Sequence, residues 1–208
     1  MKKNILKPLR VYEVMNPGSL EQYRSDLSLA YSNTGSFQQP KTPLWIVTAG
    51  IREMISSYLT DSEVFYQRED LVNEYAALLY AHGWLDAAIY LGYLTGLTPP
   101  LYLPEDSSIP CDLHERLAEK RNRYELMLRD ALGSIEIAPA SGSPLYAAAV
   151  RIRKKGEDAF PAKPGTAYMQ ELGRISYGYG WIDAGLRAGL FRIIANPHLF
   201  TTETNTDL

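Results

Sequence analysis

The sequence predicts an all-α fold in which two tandem three-helix up-and-down bundle units pack together. The first observation behind this prediction is an internal duplication: Tyr-Ala-His-Gly-Trp-Leu-Asp-Ala at residues 80–87 returns as Tyr-Gly-Tyr-Gly-Trp-Ile-Asp-Ala at residues 177–184, 97 residues later. The second is that apolar residues recur at three- and four-residue steps through most of each copy. This spacing is typical of helices that bury one face.

The duplication extends well beyond these eight residues. The same offset relates three further pairs of identical residues, which are Asp61 and Asp158, Glu74 and Glu171, and Gly92 and Gly189. Upstream, residues 42–45 match residues 143–146 at a spacing four residues larger. Four residues are about one helical turn, so the second copy has lost about one turn.

Each unit is predicted to contain three helices. Thr42-Pro43 and Ser143-Pro144 each place a hydroxyl at a helix N-cap and a proline at the first helical position, so the middle helix of both units begins in the same way. The predicted ranges are 20–31, 43–67 and 70–95 in the first unit, and 113–133, 144–158 and 166–194 in the second.

The predicted domain organisation follows from these helices. Residues 1–97 form the first helical repeat, and residues 112–195 form the second. Between them, residues 98–111 are rich in proline and predict an extended linker. Residues 196–208 predict a flexible tail.

Composition limits the class of protein. Nearly half of the residues are apolar and the net charge is -3, which is the balance of a soluble globular protein and argues against a nucleic-acid partner. Two short basic runs, at residues 120–123 and 151–155, are interpreted as solvated helix faces. The lone cysteine, Cys111, and the absence of an apolar run of membrane length predict a soluble cytoplasmic protein with no membrane partner.

Several segments of the second half resemble a known family. The resemblance is to the archaeal domain-of-unknown-function family numbered 357, and it covers residues 124–132, 135–139, 143–146 and 175–191. The first half keeps the family's pattern at residues 58–61 and 80–92. The resemblance implies a small up-and-down three-helix bundle, usually one unit per chain, with no established activity. The second copy departs from the pattern, because Lys155 stands at the position equivalent to Tyr58 and Ala162 at that of Phe65.

The repeated aromatic residues have a structural interpretation. On a helix, Tyr80, Trp84 and Ala87 share a face, and the step from Gly83 to Ala87 lets a neighbouring helix come close. The same reasoning applies to Tyr177 and Trp181 in the second copy. We therefore expect these aromatics to serve packing more than ligand binding.

The repeated aspartates are candidate functional residues. Asp86 and Asp183 each lie in the most apolar helix of their unit, where an unpaired carboxylate would be costly. Arg52 is the expected partner of Asp86, and Arg187 that of Asp183. A structural ion pair is one interpretation, and a functional acid is the other.

Two further carboxylate pairs are predicted to lie level across the helix hairpins. They are Asp61 with Glu74, and Asp158 with Glu171. Such pairs could hold a divalent cation, but no histidine repeats with them in the Glu-x-x-His spacing of carboxylate metal bundles. No metal and no cofactor are therefore predicted.

Three functions follow from these observations. The first is a non-enzymatic interaction or scaffold module, with a protein partner or self-association, because no catalytic motif accompanies the aromatic faces. The second is a small-ligand binder or enzyme that uses Asp86 and Asp183, with Tyr80 and Tyr177 at the interface between the units. The third is an RNA-associated protein that uses the two basic runs.

Overall fold

The computed structural model describes residues 20–106 and 110–201, and these residues form six α-helices and one small two-stranded sheet. The helices are α1 (Leu20–Ser32), α2 (Pro43–Gln67), α3 (Leu71–Tyr90), α4 (His114–Gly133), α5 (Pro144–Glu157) and α6 (Tyr168–Arg187). The predicted all-α fold in two halves is confirmed, with three helices in each half.

The middle helix of each unit begins as the sequence predicts. The Thr42 hydroxyl accepts a hydrogen bond from the backbone N–H of Trp45 at 3.2 Å, and the Ser143 hydroxyl accepts one from Tyr146 at 3.1 Å. Each hydroxyl satisfies one of the N–H groups that the first helical turn leaves without a partner.

The last helix of each unit ends earlier than predicted. α3 ends at Tyr90 instead of residue 95, and α6 ends at Arg187 instead of residue 194. The reason is the same in both: Gly92 has a φ of 77° and Gly189 a φ of 74°, a left-handed conformation that stops a helix. Two backbone hydrogen bonds close each end in a Schellman motif. The repeated glycine was the sequence signal for both ends.

A short antiparallel sheet replaces the predicted end of the last helix. β1 (Ile135–Ile137) pairs with β2 (Phe191–Ile193), so that Glu136 lies opposite Arg192. The first unit has a reduced form of this pairing, a single bridge between Gly35 and Thr95. The bridge lies at the equivalent place in the duplication, because these two residues correspond to Glu136 and Arg192.

α3 and α6 form the centre of the molecule and make the most extensive helix contact. They cross at two equivalent glycines, Gly83 and Gly180. A Cβ atom added to Gly83 would lie 2.1 Å from the carbonyl oxygen of Tyr177, and one added to Gly180 would lie 2.3 Å from that of Tyr80. Both distances are far below van der Waals contact, so the two backbones touch with no room for a side chain. The two units are thus related by a pseudo-twofold axis near this crossing.

Segments outside the helices pack against the helices or hydrogen-bond to them. Tyr102, in the predicted linker, packs its ring 5.6 Å from that of Tyr23 on α1. Asp106 accepts hydrogen bonds from the first N–H groups of α6. Phe200 is buried, although the sequence assigns residues 196–208 to a flexible tail. Residues 1–19 of the first repeat, 107–109 of the linker and 202–208 of the tail lie outside the described residues.

None of the helices within residues 20–106 and 110–201 combines the length and the apolar character that crossing a bilayer requires.

Candidate functional site

The four residues singled out by the duplication meet at the interface between the units. Tyr177 of α6 donates a hydrogen bond to Asp86 Oδ2 of α3 at 2.6 Å, and Tyr80 of α3 donates one to Asp183 Oδ2 of α6. Each unit thus supplies the tyrosine that binds the other unit's aspartate. The helix crossing at the glycines places both pairs, one on each side of it.

A threonine from the segment after α3 or after α6 adds a hydrogen bond to the aspartate of each pair. Thr98 donates to Asp86 Oδ1 at 2.7 Å, and Thr201 donates to Asp183 Oδ2 at 3.2 Å. Both threonines come from residues after the last helix of their own unit. The helix periodicity gave no sign of them, because each lies in a segment without regular structure.

The arginines predicted to pair with the aspartates lie elsewhere. Arg52 donates to the backbone oxygen of Thr34 at 3.1 Å, and the guanidinium of Arg187 lies against Gly50. The prediction of partners from helix register was wrong because it considered only charged residues. The tyrosine hydroxyls of the opposite unit lie closer, and they satisfy the carboxylates without a second charge.

Asp86 lies in a closely hydrogen-bonded cluster. Besides Tyr177 and Thr98, the ring of His82 lies near it, with Nε2 3.5 Å from Asp86 Oδ2. The other ring nitrogen of His82 is 2.6 Å from the Tyr23 hydroxyl. Burial alone would raise the pKa of Asp86, but His82, Thr98 and Tyr177 outweigh burial and hold this pKa below its ordinary value. Asp86 is therefore an ionised group that supports the interface.

Asp183 has a different environment although it is the same residue of the repeat. It is 3% exposed, and its Oδ1 atom has no hydrogen-bond partner within residues 20–106 and 110–201. Burial raises the pKa of its carboxyl from 3.8 to about 7, although the hydrogen bonds from Tyr80 and Thr201 act to lower it. A partly protonated acid near neutral pH is a frequent property of functional sites.

A cavity of about 320 Å³ lies beside Asp183, between α2, α3, α4, α6 and the segment 199–201. We call it the Asp183 cavity. Its walls are mainly aromatic and apolar with a few polar groups, as in most ligand sites. The residues that line it are Tyr58, Asp61, Phe65, Asn73, Ala76, Ala77, Tyr80, Lys120, Tyr124, Met127, Ser176, Tyr179, Asp183, Leu199 and Thr201.

A second polar atom of the cavity wall is also unsatisfied. Ser176 of α6 is 1% exposed, and its hydroxyl has no hydrogen-bond partner in the described part of the chain. Buried polar groups are nearly always hydrogen-bonded, so two unpaired oxygens on residues that line one cavity call for an explanation. A ligand that fills the cavity would supply partners for both.

The two repeated tryptophans, Trp84 and Trp181, serve packing. Of the repeated aromatic residues, only Tyr80 lines the cavity. Trp84 is fully buried in the core, and Trp181 is almost as buried. Neither indole N–H meets an acceptor in good hydrogen-bonding geometry within the described ranges. Lys155, which replaces the tyrosine of the first copy, lies 5.5 Å from the Trp181 ring.

The predicted carboxylate pairs are not brought together. Glu74 lies 3.2 Å from Arg24, and Asp61 is an exposed residue at the Asp183 cavity instead. Glu171 pairs with Arg121 at 2.6 Å and accepts hydrogen bonds from three backbone N–H groups. Asp158, the residue after α5, pairs with Lys154 of that helix. The four carboxylates therefore have separate neighbours. No group of three or more metal-ligating side chains occurs in the described part of the chain.

Only half of the first basic run is solvated, since Asn122 and Arg123 are exposed. Lys120 is buried, with its ammonium hydrogen-bonded to Asn73, and Arg121 is buried between Glu125 and Glu171. Two of the four residues in this run, which was one of the two proposed for RNA binding, are therefore engaged inside the protein. Arg153, in the second run, binds backbone oxygens of Leu132 and Ile135.

Comparison with known proteins found one family. The family described as "Protein of unknown function (DUF357)" matches residues 22–94 and again residues 123–191. The two matches start 101 residues apart and end 97 residues apart, which are the two offsets that the sequence itself contains. Neither the curated proteins nor the solved structures gave a match.

Proposed function

Because the chain belongs to the DUF357 family in two tandem copies, and the family's description names no activity, we propose from the geometry that the protein binds a small organic ligand in the Asp183 cavity. The observation that carries this proposal is that the unsatisfied buried oxygens of Asp183 and Ser176 belong to two residues that line one cavity. Leaving a buried polar group unpaired costs about 1 to 3 kcal/mol. A ligand with matching polar groups would recover that cost.

The duplication supports this proposal by contrast. Asp86 is the equivalent acid, and its two oxygens both accept hydrogen bonds, from Thr98 and Tyr177. It is not among the residues that line the cavity. The same acid in the same fold is therefore satisfied on one side of the interface and unsatisfied on the other, and packing alone does not require the difference.

We expect small-molecule fragments to bind the parent protein and to lose binding when the cavity is filled. Ala77 lines the cavity on α3, so Ala77→Phe would occupy it; Met127→Trp would do the same from α4. Saturation-transfer NMR with a fragment library measures this, after circular dichroism has confirmed that each variant folds. Asp86→Asn is the matched control, because it changes the equivalent acid outside the cavity.

A contrary result is well defined. If the fragments that bind the parent also bind both filled variants equally, or if none binds the parent, the ligand-binding proposal is wrong. Native mass spectrometry of protein purified without denaturation adds an independent readout, since a retained ligand appears as added mass.

The interaction module predicted from the sequence is the second candidate. It is supported by Leu44 and Ile46 at the start of α2, which are 52% and 59% exposed, and by the neighbouring Trp45. The occupant that we propose is a second copy of the chain, because the equivalent Leu145 at the start of α5 is exposed as well. The exposed Cys111 supports the expectation of a reducing compartment such as the cytoplasm.

Self-association has a direct test. Size-exclusion chromatography with light scattering should give a dimer for the parent and a monomer for Trp45→Ser. A parent that is monomeric at high micromolar concentration would remove this candidate, and a dimer unaffected by the substitution would place the contact elsewhere.

A further inference from the structure

The chemistry of the Asp183 cavity indicates the class of its ligand, an inference that rests on the proposed function. The Oδ1 oxygen of Asp183 can accept a hydrogen bond, and within residues 20–106 and 110–201 no donor meets it in good hydrogen-bonding geometry, although the Thr201 backbone N–H acts on the same carboxyl. Both hydroxyl hydrogen bonds that reach this carboxyl go to the other oxygen, Oδ2. A ligand beside Asp183 should therefore bring a donor.

The charges of the cavity wall favour a positively charged donor. Among the lining residues that the structure describes, Asp183 and Asp61 are acidic and Lys120 is basic. The ammonium of Lys120 is already hydrogen-bonded to Asn73 and lies 4.6 Å from the centre of the Tyr124 ring. These neutral partners hold the ammonium in place without cancelling its charge. When Asp183 is ionised, the two carboxylates still outnumber the one ammonium, so the wall has a net negative charge.

The aromatic wall suits the same kind of ligand. The rings of Tyr58 and Tyr80 lie 4.3 Å apart between centroids, and those of Tyr80 and Tyr179 lie 6.2 Å apart. Ring faces attract cations, most strongly where water is excluded. Lys120 over the Tyr124 ring already makes such a contact at this site.

We propose that the Asp183 cavity binds a small organic amine, with its charged nitrogen beside the Asp183 carboxylate and its apolar part against the tyrosine rings. The volume sets the size of the amine. A cavity of 150 Å³ in another protein holds one benzene molecule, so about 320 Å³ suits a single ring with a short aminoalkyl chain.

Binding should depend on pH because an ammonium group prefers the ionised carboxylate. The free carboxyl has a pKa of about 7, so amine binding should release protons below that pH. The tyrosines stay neutral up to pH 8, since burial raises the pKa of Tyr58, Tyr80 and Tyr179 further above the ordinary value of 10. The other ionisable groups that line the cavity are Asp61, Lys120 and Tyr124.

Three matched compounds test the class of ligand. They share a phenol ring and differ in side chain: tyramine carries an amine, 4-ethylphenol carries no charge and 4-hydroxyphenylacetate carries a carboxylate. We expect isothermal titration calorimetry at pH 8 to show tyramine binding about tenfold tighter than 4-ethylphenol. Its affinity should fall about tenfold or more at pH 5.5, where Asp183 is largely protonated.

Two variants show whether Asp183 is responsible. Asp183→Asn keeps the volume and removes the charge, so the preference for tyramine over 4-ethylphenol should disappear. Asp86→Asn, which lies outside the cavity, should keep the preference. Equal affinity of all variants for tyramine would overturn the role of Asp183.

Other outcomes separate the two proposals. If 4-ethylphenol or 4-hydroxyphenylacetate binds the parent as tightly as tyramine, and the filled variant Ala77→Phe abolishes that binding, the amine inference is wrong and the ligand-binding function stands. If none of the three compounds binds the parent, the amine inference is again wrong, and the fragment screen decides the proposed function separately.

Discussion

Replacing Gly83 by alanine is expected to destabilise the protein by about 3 kcal/mol or more. The added Cβ would lie 2.1 Å from the backbone oxygen of Tyr177, and a backbone atom cannot move aside as a flexible side chain can. The central helices would have to separate along their whole contact. Thermal unfolding followed by circular dichroism should show a midpoint lower by roughly 10 °C.

Gly133→Ala is the matched control for this experiment. Gly133 is the last residue of α4, and a Cβ atom added there would meet nothing within 4 Å. Alanine at that position should be neutral or stabilising by less than about 1 kcal/mol. If Gly83→Ala has as little effect as Gly133→Ala, the two helices do not touch at the glycines.

The second large effect is expected for Asp183→Asn, whose stability relative to the parent should increase as pH rises. The parent carboxyl has a folded pKa of about 7 and an unfolded value near 3.8. Between these values the folded protein binds more protons than the unfolded one, so stability falls as pH rises from about 4 to 7. Asparagine does not titrate, so from pH 5 to pH 8 the parent should lose about 3 kcal/mol relative to the variant.

Urea unfolding of parent and variant at pH 5 and pH 8 measures this difference, and the comparison cancels all other titrating groups. Asp86→Asn is the control with the opposite sign. Its carboxyl has a lowered folded pKa, so its contribution is complete above the unfolded value and is lost only as pH falls further. The Asp86 carboxyl itself should therefore add no pH dependence to the Asp86→Asn difference between pH 5 and pH 8. A constant difference for Asp183→Asn would mean that the pKa of Asp183 is not raised.

Local sequence rules were enough to predict the helices and the place where α3 and α6 come closest. The capping residues Thr42 and Ser143 fixed two helix starts, and the repeated small residues predicted the tight crossing at Gly83 and Gly180. Such features depend on residues close in sequence, and the duplication doubled the signal. The strands escaped prediction because three residues carry no period, and their pairing depends on a partner more than fifty residues away.

The candidate site was predicted only in part. The duplication identified Asp183 and Tyr80, but it could not show that they meet across the units. Lys120 and Thr201 were missed as cavity residues because one lies in a basic run that looks solvated and the other in a presumed tail. A cavity forms where several distant segments fail to fill space, and no local pattern records that.

The reciprocal hydrogen bonds between tyrosine and aspartate have a consequence for how such a molecule can diverge. In a symmetric dimer of single units, every substitution alters both tyrosine–aspartate sites together. In this chain the two sites have separate codons, so His82 can lie beside Asp86 while Tyr179 occupies the equivalent position near Asp183. Fusion therefore permits symmetry breaking: both acids still bind a tyrosine of the other half, but only Asp183 also borders a cavity.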